Sequence, residues 1–399
     1  MAQPERIDIR TTSGPVPLFL GCGLDPVVLE AELVRPLAPD AIGIVSDTTV
    51  FRHYGRDLES LLESRGHRVV TVVLPPGETS KNLEIAVEIY GELCGNHFSR
   101  RSVLLALGGG VVGDLAGFVA GTYMRGLRFL QLPTSLLAQV DSSIGGKVGV
   151  NHRCGKNLVG LFRQPAAIWT DTRCLSTLPP EEYLNAFGEI LKYALVLDEP
   201  LCARLEALPS VEAVRADEAL QAEVVRRCIR AKVAVVEQDE HEAGYRRVLN
   251  FGHTFGHALE TAGRYVRFRH GEAVALGMLL AQELGVAVGA VERSWADRAA
   301  GLVRRLLPLP SPEGHAADGL LRHLGHDKKN VAGRHFFVFS TGPGRFAFRE
   351  DVPEPALRQT LERFLAAGGA APAGARRKPA ACGRCSRGSP PAMISSTTS

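Results

Sequence analysis

The run RRVLNFGHTFGHALE at residues 246–260 sets Asn250, His253 and His257 at spacings of three and four. On a helix those spacings put the three side chains on one face. Two imidazoles at i and i+4 can ligate a metal ion, but the run is not H-E-x-x-H, because Thr254 stands where a zinc peptidase has its base. Downstream, Arg269-His270-Gly271-Glu272 reads as the opening of another helix. Upstream, Glu189 and Lys192 lie one turn apart on a third. Two imidazoles, a carboxylate and an open fourth position form a frequent catalytic zinc set. Singly, each His reads as a hydrogen-bonded core or surface residue, and only the set points to a metal.

A second group is cationic: Arg125, Lys147, Lys156, Lys192, Lys232, Arg246 and Lys328-Lys329 sit among small or apolar neighbours. Any one of them reads as a solvated charge. Together, in segments of low overall charge, they fit a substrate with more than one anionic group, such as a phosphorylated carboxylic acid. A third feature is the run SVLLALGGGVVGDLAGFVAG, with Gly108, Gly110 and Gly113 at G-x-G-x-x-G spacing. It reads as a buried strand, a glycine turn and a helix whose N-terminal N–H groups can hold a pyrophosphate. The carboxylate that usually holds the ribose about 20 residues on is missing, since no Asp or Glu occurs between Leu115 and Val140. Asp47 or the Pro76-Gly77-Glu78 segment must then take its place.

These residues need elements to carry them, and 399 residues make two or three units at roughly 100 to 200 residues each. β-branched runs at 41–45, 69–74, 103–107 and 129–132 alternate with helical stretches, the pattern of an α/β layer. After Pro179-Pro180 the period becomes three to four with no strand-like runs, which predicts a mainly helical second half. Pro180 suits the first turn of its first helix, and Glu181-Glu182 the positive end of that helix. The domain boundaries read as 1–177, 178–365 and 366–399. The last of these is an Ala/Gly/Pro/Ser-rich tail, expected to be disordered, whose removal after Leu365 is expected to leave turnover unchanged.

Composition narrows the function classes. Hydrophobic residues at 45% and charged residues at 22% are those of an ordinary globular protein. The net charge is +3, and the tail alone holds five Arg and Lys with no acid, which leaves residues 1–365 at −2. Nothing there favours nucleic acid. No apolar run approaches the length of a bilayer span, and the first residues lack the form of a signal peptide, so a cytoplasmic enzyme with reduced thiols is expected. The Cys382/Cys385 pair has the spacing of half a zinc site but no second Cys or His pair nearby to complete it.

The residues resemble those of a known family, the 3-dehydroquinate synthases within the sugar-phosphate cyclases. The similar segments are PGETSK (76–81), GGGVVGDLAGF (108–118), YMRG (123–126), LPTSLLAQVDSSIGGKVGVNHRCGKN (132–157), GEILKY (188–193), the 246–260 run, HGEAVALGM (270–278) and HDKKNVAG (326–333). They run in order through most of residues 5–350.

The resemblance implies a Rossmann-like NAD-binding α/β domain, then a mainly helical metal-binding domain, with the active site between them and usually a homodimer. It implies Zn²⁺ or Co²⁺ on Glu189, His253 and His270, which makes His257 a substrate group rather than a ligand. NAD would be met by Asp47, Gly77, Glu78, Lys81, the turn Gly109, Gly110, Val111, Val112, Gly113 and Asp114, by Thr134, Ser135, Lys147 and Lys156, and by Cys174, Leu175, Ser176 and Thr177. The substrate's phosphate and carboxylate would be met by Arg125, Lys147, Asn157, Lys192, Lys232, Arg246, Asn250, His257, Lys328 and Lys329, with Asp141 a further catalytic residue. Arg125 would reach the partner subunit's site. The implied reaction turns 3-deoxy-D-arabino-heptulosonate 7-phosphate into 3-dehydroquinate and phosphate through transient oxidation by NAD, elimination, re-reduction and an aldol closure.

Ser135 stands where Thr is common in that family, Gly188 where Ala is common, and Phe339-Ser340-Thr341 replaces a more apolar strand end. Relatives that close sedoheptulose 7-phosphate, which has no carboxylate, differ at Arg246, Asn250 or His257, and all three are intact here. The 4-amino analogue of the heptulosonate would keep the same residues. A polyol dehydrogenase using NAD and a metal shares the two-domain plan but needs no basic array and releases NADH. An inactive homologue serving as a binding module would be free to lose Glu189, Lys192, His253 and His270.

Overall fold

In the computed structural model, residues 4–325 and 336–369 are described. Lys328, Lys329, the Cys382/Cys385 pair and the tail from residue 370 lie outside them. The first half holds β1 (Glu5–Thr11), β2 (Gly14–Gly21), β3 (Ile42–Asp47), β4 (Val69–Leu74), β5 (Val103–Gly108), β6 (Arg128–Pro133), β7 (Lys147–His152), β8 (Gly155–Phe162) and β9 (Ala167–Asp171). Seven of them form one sheet in the order β1-β2-β9-β6-β5-β3-β4. The pairs from β2 to β4 are parallel, and β1 adds to β2 antiparallel. Every residue of β5 is buried, because helices cover both faces of a parallel sheet and alternation gives way to a continuous apolar run. The four strand runs read from the sequence are β3 to β6.

β7 and β8 form a separate antiparallel hairpin. Val148 and Val150 from it are buried with Leu115, Ala116 and Val119 of the helix Gly110–Thr122. The hairpin thereby hangs beside the glycine turn with Lys147, Lys156 and Asn157 on it.

The second half supplies the helices Pro180–Val196, Glu199–Glu206, Glu218–Gln238, His253–Ala262, His270–Ala287, Arg293–Leu306, Ala317–Gly325 and Glu354–Ala366. The first begins with a proline in its first turn followed by Glu181 and Glu182, as its sequence predicts. The second half is mainly helical, as expected, although one strand pair forms where no strand-like run was read. β10 (Phe337–Gly342) and β11 (Arg345–Arg349) make a hairpin, because alternating aromatic residues bury Phe337 and Phe339 against the helices. The Phe337 ring stacks 5.5 Å from Phe255.

Two helices meet backbone to backbone at Gly188 and Gly271. A Cβ on Gly271 would lie 1.7 Å from Asn185 O, and one on Gly188 would lie 2.5 Å from Gly271 O. That approach sets Glu189 of one helix beside His270 of the other.

The β1–β2 hairpin also joins the second half. Ile9, Val16 and Leu18 share the large core of the helices. Glu5 accepts from Arg226 Nε at 2.6 Å and Arg230 Nη2 at 2.8 Å, and Arg10 Nη2 donates to Glu237 at 2.9 Å. Among the described residues no helix is long and apolar enough to cross a membrane.

Candidate active site

The carboxyl ends of β3, β4, β5 and β6 face a cleft of about 740 Å³, which the helical half closes from the other side with Lys232, Arg246 and His270. A crevice outside the carboxyl ends of parallel strands is where open α/β sheets bind ligands. Asp47, the last residue of β3, lines the cleft, and its Oδ1 is fixed by the backbone N–H groups of Thr49 at 2.9 Å and Val50 at 3.0 Å. Gly109 precedes the Gly110–Thr122 helix with no side chain capping it, so the helix's first N–H donors are left to the cleft. Thr134 and Ser135 line the cleft beside this turn, and Thr134 N donates to Gly108 O at 3.0 Å. Glu78 takes Asn151 Nδ2 at 2.7 Å, and Lys81 Nζ bridges Asp114 at 2.5 Å and Asn157 at 2.6 Å.

On the helical side, ligand atoms of Glu189, His253 and His270 lie within 4.8 Å of one another. His253 Nε2 is 3.2 Å and His270 Nε2 3.4 Å from the same atom, Glu189 Oε1. That oxygen is buried and has no hydrogen bond. Phe251 O, only an acceptor, lies 3.3 Å from His253 Nδ1, which puts the proton there and leaves the Nε2 lone pair facing the carboxylate. A lone pair facing a bare carboxylate oxygen calls for a cation between them. Burial raises Glu189, but Lys192 and His253 outweigh it and hold the carboxyl well below its usual range. Burial lowers His270, yet Glu189 and Glu260 push it up to about 10. The donor set therefore fits a divalent metal. His257, with its ring 5.4 Å from His253 and 6.5 Å from His270, is not in that set, so the i, i+4 pair is not the ligand pair.

Between the two sides lie the cations. Lys232 Nζ donates to Asp141 O at 2.5 Å and Oδ1 at 2.7 Å, and Tyr193 OH donates to the same carboxylate. Burial lowers Lys232 to about 8 against the pull of Asp141. Asp141 is held at about 2, because Lys232 and Lys192 outweigh its burial. Lys147 pairs with Glu242, which also accepts from Asn250 Nδ2 at 3.0 Å. Lys192 is buried on Glu189. Arg246 differs: its Nη1 donates to two carbonyls, Gly145 O at 3.1 Å and Glu240 O at 2.5 Å, and to no carboxylate among the described residues. Gly145 is left-handed (φ 98°), and a Cβ there would meet Arg246 Nη2 at 2.4 Å.

The structure thus gathers most of the expected residues and sets a few apart. Asn250 is not on the helix of His253 and His257. It ends the turn Tyr245–Asn250, and the helix starts only after a left-handed Gly252. Val111 and Val112 line the cleft beside Gly109 and Gly110, while Gly113 packs against Gln131 instead. Of residues 174–177 only Thr177 lines the cleft, held by Tyr54 OH at 2.6 Å, and Leu175 is wholly buried in the core. Arg125 is exposed, with a left-handed backbone (φ 65°), and lies away from this chain's cleft. Glu242 and Glu260 carry counter-charges to Lys147 and Lys156, Tyr193 donates to Asp141, and none of the three was singled out by sequence. Glu260 had a signal, since it lies seven residues after His253 on the same helix face. Glu242 lies in a loop with no period to mark it.

A family model described as 3-dehydroquinate synthase N-terminal matches residues 71–185, and one described as 3-dehydroquinate synthase C-terminal matches residues 186–330. The chain belongs to the 3-dehydroquinate synthase family. It is 44% identical to the 3-dehydroquinate synthase of Thermosynechococcus vestitus (strain NIES-2133 / IAM M-273 / BP-1), over 86% of this chain and 93% of that protein. Among solved structures it is similar to ValA, a 2-epi-5-epi-valiolone synthase from Streptomyces hygroscopicus subsp. jinggangensis 5008 with NAD⁺ and Zn²⁺ bound. That likeness has a TM-score of 0.76 at 28% identity and covers 88% of this chain and 96% of that one. A 2-deoxy-scyllo-inosose synthase complexed with carbaglucose-6-phosphate, NAD⁺ and Co²⁺ shares the fold, with a TM-score of 0.79 at 24% identity over 90% of this chain and 99% of that one.

Proposed function

We propose that the cleft carries out the reaction of the 3-dehydroquinate synthase family, turning 3-deoxy-D-arabino-heptulosonate 7-phosphate into 3-dehydroquinate and phosphate. The observation that carries this reading is a single cleft with an uncapped helix N-terminus and Asp47 on one side, Glu189, His253 and His270 on the other, and Lys147, Lys232 and Arg246 between. NAD⁺ held at the glycine turn would accept and return a hydride, and Zn²⁺ or Co²⁺ on Glu189, His253 and His270 would polarise the hydroxyl being oxidised.

Arg246 is buried and, among the described residues, spends its hydrogen bonds on carbonyls rather than on a carboxylate, which suits it to the substrate's carboxylate. Lys147 and Lys232 are each held by an acid on one side, so an incoming phosphate meets cations already fixed in place. Asp141 stays charged at any working pH and keeps Lys232 aimed. Asn157, fixed by Lys81, and Asn250, fixed by Glu242, offer amides that can select hydroxyl positions. His257 stands beside the metal ligands as a group that can move a proton. The array of cations favours this reading over a polyol dehydrogenase. A homodimer in which Arg125 serves the neighbouring cleft fits its exposed position away from its own.

The test is phosphate release from the heptulosonate phosphate with NAD⁺ and Zn²⁺, with absorbance of NADH followed in the same cuvette. Phosphate in many-fold excess over NAD with no accumulating NADH is the expected result. NADH accumulation with polyols and no phosphate release would overturn it.

A further inference from the structure

Glu260 takes no part in the reaction as described, yet it is 3% exposed and lies between the two sides of the site. Its Oε2 is 3.5 Å from His270 Nδ1, and its Oε1 is 3.2 Å from Lys156 Nζ on β8. Lys156 in turn sits 4.7 Å from the centre of the Tyr265 ring. Tyr265 and Arg264 before it both have left-handed backbones (φ 56° and 54°), and Tyr265 OH is 3.1 Å from Thr261 Oγ1. Backbone held in that region persists only where its surroundings over-determine it. Here they hold an aromatic face over the ammonium that balances Glu260.

We propose that Glu260 is a positioning residue for the metal site: it fixes the ring and tautomer of His270 through Nδ1, and Lys156 of the cofactor-side hairpin fixes Glu260. This rests on reading Glu189, His253 and His270 as metal ligands. An imidazole with one N–H gives it to Glu260 and leaves the Nε2 lone pair for the ion, while the second carboxylate makes that nitrogen a stronger donor. His253 has only the Phe251 carbonyl at its Nδ1. The charged partner is thus reserved for His270, which starts its helix and has no preceding turn of that helix to brace it.

The experiment titrates Co²⁺ and Zn²⁺ into the metal-stripped full chain, against a chromophoric chelator, for wild type, E260Q, E260D and H270A. Melting of each metal-free protein is followed as well. Wild type is expected to take up one ion per chain and H270A to lose it. E260Q should bind about 10- to 100-fold more weakly, with a shifted visible Co²⁺ band, while the metal-free protein still melts cooperatively. E260D should recover part of the affinity. E260Q binding within about twofold of wild type overturns the role of Glu260, set against the losses typical of such outer partners. Should E260Q not melt cooperatively, E260D carries the same test, and wild-type affinity in it overturns the role. No uptake by wild type, or full uptake by H270A, overturns the ligand assignment itself and is told apart by those two arms.

Discussion

Burial lowers Lys232 to about 8 while Asp141 pulls the other way, which brings its loss of charge close to neutral pH. It is an ammonium below that value and loses its charge above it. kcat/KM, which reports the free enzyme, should therefore fall as pH rises through about 8. Lys232→Met should lose about 10- to 100-fold in kcat/KM, the usual worth of a charge-assisted hydrogen bond, and lose that alkaline limb. Asp141→Asn removes the group that supports the charge, so its limb should move to lower pH. A pH series on the three proteins checks both. The sign for stability is opposite in direction: the unfolded chain keeps its proton up to the ordinary value of 10.5, so the penalty of burying charged Lys232 is full below about 8 and fades between the two values.

The metal ligands sit on three different helices, and their spacing depends on how closely two of those helices approach at Gly188 and Gly271. Gly271→Ala sets a methyl group 1.7 Å from a backbone oxygen that cannot rotate away. The helices must part, at a cost of about 1–3 kcal/mol and with weaker binding of metal; urea unfolding and a metal titration would register the two effects separately. This contact was not legible in the sequence, where Gly188 stood out only as a departure from the family's common Ala. What was legible followed period and punctuation. β3 to β6 are apolar runs bounded by turns, and the helix at Pro180 announces itself by its proline and acids. β2 escaped because Pro15 and Pro17 argue against a strand, but β9 pairs only with Leu18–Gly21, so the stretch with the prolines has a free edge that tolerates them. β7 and β8 escaped because Gly149 and Gly160 dilute their pattern, and a Cβ at either would strike the opposite strand's backbone. At the site, the sequence marked the His, Lys and Gly residues. It could not choose between His257 and His270 without the resemblance, because spacing along a helix says nothing of what the next helix brings.

For the whole molecule, two expectations concern how chains begin, end and pair. The last helix runs to Ala366, and Arg304 Nη2 donates to Gly369 O at 2.9 Å, so a truncation is better placed after Gly369 than after Leu365. A chain ending at Gly369 should match the full chain in turnover and melting temperature, as a paired assay and melt would show. If Arg125 serves the neighbouring cleft, R125A and H270A are each inactive, yet their mixed dimer keeps one whole site. Dissociating and reassembling equal amounts should restore about a quarter of wild-type activity, half the dimers being mixed with half their sites intact. No recovery would assign Arg125 to its own chain. The docking of β1 and β2 has a consequence in time. The hairpin closes on itself at once, but its neighbours, β9 and the Glu218–Gln238 helix, are made some 150 to 230 residues later, a delay on the order of ten seconds or more at ribosomal speed. Throughout that interval Ile9, Val16, Leu18 and Leu20 have nothing to cover them. The charged residues alternating along β1, Arg6, Asp8 and Arg10, keep a nascent edge from pairing with a second chain before its own partners exist.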